Sequence, residues 1–134
     1  MIGALIKEAG MQKNYLEDQV VETVYFGGGT PSLLSAGELM RIWDALEQHF
    51  PNQALTEITL EANPDNLTPA YLKELKHTPI NRLSIGIQSF QDKDLRYMNR
   101  AHTAAEADYA VKLAQDSGLD NISIDLIYGT PTMS

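Results

Sequence analysis

The sequence predicts an α/β fold: about four parallel strands curved into a partial (β/α) barrel, with helices on the outer face only. Three features carry that expectation. Segments with strand alternation are interleaved with segments of helical period, which implies right-handed βαβ units and a parallel sheet. Each strand is apolar on one parity alone, whereas a sheet covered on both faces shows nearly continuous apolar runs. The strongest polar groups stand at the carboxyl ends of the strands, where parallel α/β folds place ligands.

In order along the chain, Ile2, Leu5, Ile6 and Met11 fall at near-helical spacing, so a helix is expected up to about Asn14. VETVYF then alternates as a strand. Ser35 and Glu38 have capping-box spacing, and Leu39, Ile42, Trp43 and Leu46 form an apolar stripe, so a second helix follows and ends before Pro51. EITLEA is the second strand. Thr68 opens a short helix with Pro69 at its first position, where a missing N–H costs little. NRLSIGIQ is the third strand, and helices are expected over Asp92 to Met98 and Ala104 to Ser117. Gly118 stops the last helix, and NISIDLIYG is the fourth strand.

The parity that carries Val24 and Phe26, Ile58 and Leu60, Leu83, Ile85 and Ile87, and Ile122, Ile124 and Leu126 is expected to lie under the helices. The other parity carries Thr23, Tyr25 and Gly27, Glu57, Thr59 and Glu61, Ser84, Gly86 and Gln88, and Ser123 and Asp125. On a curved sheet this polar face turns towards a lumen. The alternative is a single-layered sheet whose second face is simply wet.

Composition narrows the function. A chain of 134 residues has room for one core that buries about two-thirds of the unfolded surface. The net charge of −8, without a Lys/Arg cluster, disfavours nucleic acid and anionic lipid as partners. There is no cysteine, so this chain supplies neither a disulfide nor a thiolate ligand for zinc or an iron-sulfur cluster. The apolar stretch before Lys7 is too short for a signal peptide or a membrane span, and a cytoplasmic location is expected.

Within VYFGGGTPSLL, Val24 to Leu34, Gly27, Gly28 and Gly29 close the first strand. Bare backbone there lets a ligand approach within hydrogen-bonding distance, and φ is free to be positive. A tight turn with no ligand is the alternative. No Gly-Lys-Ser/Thr follows, and the third glycine of a dinucleotide fingerprint would fall at Ser32, so an ordinary nucleotide loop is disfavoured. Neither Ser-His-Asp nor HExxH spacing occurs, and no catalytic or metal-ligating residue is expected in this chain.

Read together, FGGGTPSLL, LEANPD, NRLSIGIQSF, LRYMNRAH and ISIDLIYGTP resemble the radical S-adenosylmethionine (SAM) superfamily, and within it the oxygen-independent coproporphyrinogen III oxidase-like proteins. The resemblance covers about Val20 to Pro131. It implies a six-stranded partial TIM-like barrel, with a four-iron four-sulfur (4Fe-4S) cluster held by three cysteines in the loop after the first strand. That cluster chelates and reduces SAM, releasing a 5′-deoxyadenosyl radical. Since those cysteines are missing, the chain is expected to be a single incomplete core domain over residues 1–134, the middle of a longer protein's barrel, and inactive alone.

By that resemblance, Gly28, Gly29 and Thr30 meet the methionine amino group of SAM, and Glu61 accepts from the ribose hydroxyls or the amino group. Gln88, Arg100 and Asp125 match positions that contact SAM, in the oxidase branch a second SAM molecule. Arg100 has a planar fork that can bond both oxygens of a carboxylate, with a surface ion pair as the alternative. Asp125 has Arg100 as a possible lumen partner, or else is tied to Ser123 or a neighbouring backbone group.

The remaining polar residues have blander readings. His102 reads as a capping or surface residue, with substrate contact as the alternative. His49 and His77 end helices, and Asp92 and Asp94 form an acidic first turn, all favoured by helix dipoles.

The spelling of EANPD is closer to the haem-chaperone branch than to the true oxidase branch. The expected longer protein therefore binds porphyrin or haem, as a chaperone or else as a coproporphyrinogen dehydrogenase that oxidatively decarboxylates propionates. A third reading is a cluster-free module that binds an adenosyl ligand or a protein. Unpaired strand edges of an incomplete barrel invite a dimer or aggregate.

Overall fold

The computed structural model describes residues 1–17, 19–51 and 53–132. Strands β1 (Val21–Phe26), β2 (Gln53–Ala62), β3 (Arg82–Gln88) and β4 (Ile122–Leu126) form one sheet in the order β1-β2-β3-β4. Every neighbouring pair is parallel. When successive parallel strands keep adding on the same side, right-handed crossovers lay all connecting helices on the same face. The helices are α1 (Ile2–Met11), α2 (Ala36–His49), α3 (Pro69–Leu75), α4 (Asp92–Tyr97) and α5 (Ala104–Asp116). The architecture is that of a partial (β/α) barrel.

The core lies between the apolar strand parity and the outer helices. Ile58 and Leu60 of β2 and Leu83, Ile85 and Ile87 of β3 pack with Leu39 and Trp43 of α2, Leu72 and Leu75 of α3, and Ala107, Ala110 and Ala114 of α5. Three alanines on one stripe let α5 approach the sheet closely. Local chemistry sets the helix starts. Ser35 Oγ accepts from the Glu38 amide at 3.3 Å while Glu38 Oε2 accepts from the Ser35 amide at 2.9 Å, a reciprocal cap for α2. Thr68 caps α3 through the Tyr71 amide at 3.2 Å, with Pro69 in the first turn.

Several boundaries differ from the sequence reading. The first helix ends at Met11 rather than near Asn14, and α4 and α5 each stop one residue early. Strand β2 begins at Gln53 rather than Glu57. Val21 pairs with Gln53 but Thr23 pairs with Glu57, so a bulge separates the first turn of pairing from the regular ladder and interrupts the period-two pattern.

Strand β4 stops at Leu126 rather than running to Gly129. Its register against β3 breaks between Ile85 and Gln88, where Gln88 takes a φ of 69°. Ile124 and Leu126, expected under helices, are 40% and 54% exposed. They belong to the edge strand, and among the described residues no helix follows to cover them.

Candidate functional site

The polar face is organised in layers along the strands. Near the amino ends, Thr59 Oγ1 donates to Glu57 Oε1 at 2.9 Å and accepts from Arg82 Nη1 at 3.3 Å, while Arg82 and Glu57 pair at 3.6 Å. In the middle, Ser123 Oγ donates to Ser84 Oγ at 3.1 Å, so Ser123 is not the partner of Asp125. These bonds satisfy the buried Thr59 and Ser84 hydroxyls.

At the carboxyl ends the loops converge. Gly28 and Gly29 take φ values of 81° and 65°, which turns the Gly28 N–H onto Glu61 Oε2 at 3.1 Å. Tyr25 OH donates to the other oxygen, Oε1, at 2.9 Å. Desolvation first, and then the bond to this carboxylate, raise the Tyr25 phenol above its ordinary value.

Ser32 is buried beyond the glycines, donating to Asn66 Oδ1 at 2.9 Å and accepting from the Asn63 amide at 3.3 Å, which ties the first loop to the second. Asn63 Oδ1 in turn accepts from Arg100 Nη2 at 3.0 Å, and the same nitrogen donates to the Gly86 carbonyl at 3.1 Å.

Arg100 reaches the site because of a local turn. Asn99 takes a φ of 52°, and the Arg100 amide donates to the Leu95 carbonyl at 2.9 Å, a left-handed helix stop that sends the chain back over β3. Among the described residues, neither the candidate Arg100–Asp125 pair nor a surface ion pair of Arg100 is formed. Asp125 is exposed and makes no hydrogen bond or ion pair among the described residues.

Around these groups lies a cleft of about 200 Å³. Gly29, Thr30, Glu61, Gln88, Arg100 and Asp125, all singled out in the sequence, line it. Gly28 stands at its edge, with its amide given to Glu61. Two carboxylates, a guanidinium and two amides thus share one opening, a polar set suited to a zwitterionic ligand that also carries hydroxyl groups.

Sequence reasoning missed several contributors. Asn63 and Gly86 line the cleft, and Tyr25 and Ser32 brace it. Asn63 and Gly86 lie within the quoted LEANPD and LSIGIQ motifs, at or near the carboxyl end of a strand, which was the available signal.

Two further readings need correction. His102 is neither a cap nor a surface group: it is 3% exposed, and its Nε2 lies 2.9 Å from the Ile87 carbonyl. A carbonyl only accepts, so Nε2 carries the proton, and Nδ1 is buried without a partner among the described residues. The cap of α5 is Thr103, whose side chain and Glu106 form a second reciprocal box. Asp94 is more than a helix-dipole acid. It is 1% exposed and accepts from Ser89 Oγ at 3.0 Å and Thr132 Oγ1 at 2.5 Å, latching the segment after β4 onto α4. Those hydroxyls, Thr132 foremost, hold its carboxyl below the usual range. Asp92 instead accepts from the Ala104 amide at 2.8 Å, joining α4 to α5.

The profile of the Radical SAM superfamily matches residues 6–134. The chain belongs to the radical SAM superfamily. It is 37% identical over 130 residues to the haem chaperone HemW of Lactococcus lactis, covering 97% of this chain and 34% of that protein. Against HemW of Escherichia coli it is 38% identical over 120 residues, covering 90% of this chain and 32% of that one. The chain thus spans about a third of the curated relatives that it matches.

Among solved structures, the coproporphyrinogen III oxidase HemN of E. coli, a radical SAM enzyme, superposes with a TM-score of 0.81 at 28% identity, over 98% of this chain and 30% of that one. The Elp3 protein of Methanocaldococcus infernus superposes with a TM-score of 0.77 at 20% identity, over 97% of this chain and 35% of that one, a likeness of fold. Membership of the superfamily implies SAM and a 4Fe-4S cluster for its longer proteins. This chain has no cysteine, and no group of three or more His, Asp or Glu among its described residues suits a metal, so its residues do not fit the cluster. No helix among the described residues is long and apolar enough to cross a membrane.

Proposed function

We propose that residues 1–134 are the SAM-binding part of a longer haem chaperone. One observation carries the reading: in a chain of this superfamily, a cleft at the carboxyl ends of the strands gathers Glu61, Gln88, Arg100 and Asp125. The polar set fits SAM itself. Arg100 suits the methionine carboxylate, while Glu61 and Asp125 suit the ammonium group and the ribose hydroxyls. Gly28, Gly29 and Thr30 border the amino end of the ligand. The longer protein works in the cytoplasm on porphyrin or haem, and its cluster ligands come from outside this chain.

Without a metal to chelate the methionine end, binding by this chain alone is weak, about millimolar to high micromolar, worth roughly 4 to 6 kcal/mol. Titrating SAM while following amide resonances tests this. Shifts at Gly29, Glu61, Gln88 and Arg100 that saturate in that range and vanish in Glu61→Ala support it. Absence of those shifts in the native chain at several millimolar ligand defeats it.

A second reading, coproporphyrinogen oxidation, is favoured by the superposition on HemN and by a relative, 38% identical over 116 residues, named an oxygen-independent coproporphyrinogen-III oxidase-like protein. Supplying the longer protein with coproporphyrinogen III, reductant and SAM separates the two. A chaperone binds haem and releases no carbon dioxide, whereas an oxidase decarboxylates.

A further inference from the structure

We propose that Tyr25 is a positioning residue for Glu61, steadying its carboxylate through Oε1, and that Gly27 is glycine in order to admit the Tyr25 ring. The inference rests on the reading that Glu61 meets a ligand.

The observations are geometric. Glu61 lines the cleft and Tyr25 does not. Tyr25 stands on the same polar face of the sheet, opposite Thr59, with its ring beside Gly27. The Tyr25 hydroxyl donates to Oε1 at 2.9 Å, while the Gly28 amide donates to Oε2 at 3.1 Å. An ionised carboxylate has about four lone-pair positions, so two bonds within the chain leave about two for a ligand. Those two bonds also restrict a side chain with three rotatable torsions, so the free lone pairs keep a constant direction before any ligand arrives.

Gly27 supplies the space. Its φ lies outside the left-handed region that Gly28 and Gly29 occupy, so its backbone conformation is open to any residue. What a side chain would meet there is the tyrosine. A Cβ at Gly27 would stand 2.7 Å from Tyr25 Cε1, 2.9 Å from Cδ1 and 3.2 Å from Glu61 Oε1. Consecutive glycines thus have different tasks: the second and third turn the backbone, and the first makes room for a ring.

Tyr25→Phe in the full 134-residue chain tests the proposal, because it removes one hydroxyl from a residue that is 54% exposed and leaves the fold in place. The first readout is hydrogen exchange at the Gly28 amide, a group that Tyr25 does not bond. Steadying of Glu61 predicts exchange several-fold faster in Tyr25→Phe, and likewise in Gly27→Ala. The second is SAM affinity, expected to fall roughly three- to tenfold in Tyr25→Phe.

Unchanged Gly28 exchange, or unchanged affinity, in Tyr25→Phe would overturn the proposal. If the native chain does not bind SAM, the functional reading fails, while the exchange measurement still decides whether Tyr25 steadies Glu61.

Discussion

Replacing Gly86 by alanine puts one methyl group on the floor of the cleft. Its Cβ would lie 3.0 Å from Gln88 Nε2, 3.5 Å from Asn63 Oδ1 and 3.6 Å from Arg100 Nη2. Only the first contact is tight, and it involves the end of a flexible side chain, which yields by a few tenths of an ångström. The φ of Gly86 is outside the left-handed region, so alanine introduces no backbone strain.

Losing a glycine from the unfolded chain then favours folding by about 0.4 to 1 kcal/mol, which raises Tm by roughly 1 to 4 °C for a domain of this size. Ligand binding moves the other way. With the Gln88 amide displaced and the Arg100 guanidinium crowded, one hydrogen bond to a charged group is lost, about 1.5 to 2 kcal/mol or roughly a tenfold to thirtyfold loss in affinity for SAM. Thermal unfolding and a resonance-monitored SAM titration of the same sample read both quantities. A fall in Tm of several degrees would refute the steric account, and undiminished affinity would show that the ligand does not use this floor.

Leu83→Ala opens a cavity at a fully buried position near the start of β3, and a loss of about 2 to 5 kcal/mol is expected in denaturant titration. Thr103→Ala removes the cap of α5 and costs about 1 kcal/mol by the same assay, with a loss near zero counting against the capping box. Asp94 is depressed in the folded state, so its contribution is present above the ordinary carboxylate range and is lost as pH falls through its folded value. Asp94→Asn should therefore flatten the acid limb of a plot of Tm against pH, and an unaltered slope would sink the latch. Among the described residues β1 and β4 are the edges of the sheet, which predicts self-association, and a clean monomer by light scattering at high concentration would speak against edge pairing.

Much of this architecture is a local property and could be read along the chain. Alternation in VETVYF and RLSIGIQ marked both the strands and the face each turns to the helices, because pleating sends successive side chains to opposite sides. The Ser35–Glu38 and Thr68–Pro69 helix starts follow from bonds spanning three residues, which need no tertiary context. The same spacing in Thr103 and Glu106 makes the cap of α5.

The polar groups clustered at strand ends were legible for a related reason: a parallel sheet in chain order brings all its carboxyl ends to one rim, whatever the loops do. Which polar group meets which was not legible. Arg100 bonds Asn63 and Gly86 rather than Asp125 because a left-handed residue at Asn99 redirects it, and Tyr25 finds Glu61 only through the β1–β2 register and the bare Cα of Gly27. The burial of His102 and Asp94 and the exposure of Leu126 likewise depend on what lies across the sheet. The sequence by itself determined the elements, their order and the rim where the candidate cleft lies. Only the tertiary structure decided the pairing within that rim, since a hydrogen bond requires placement to within a fraction of an ångström between residues tens of positions apart.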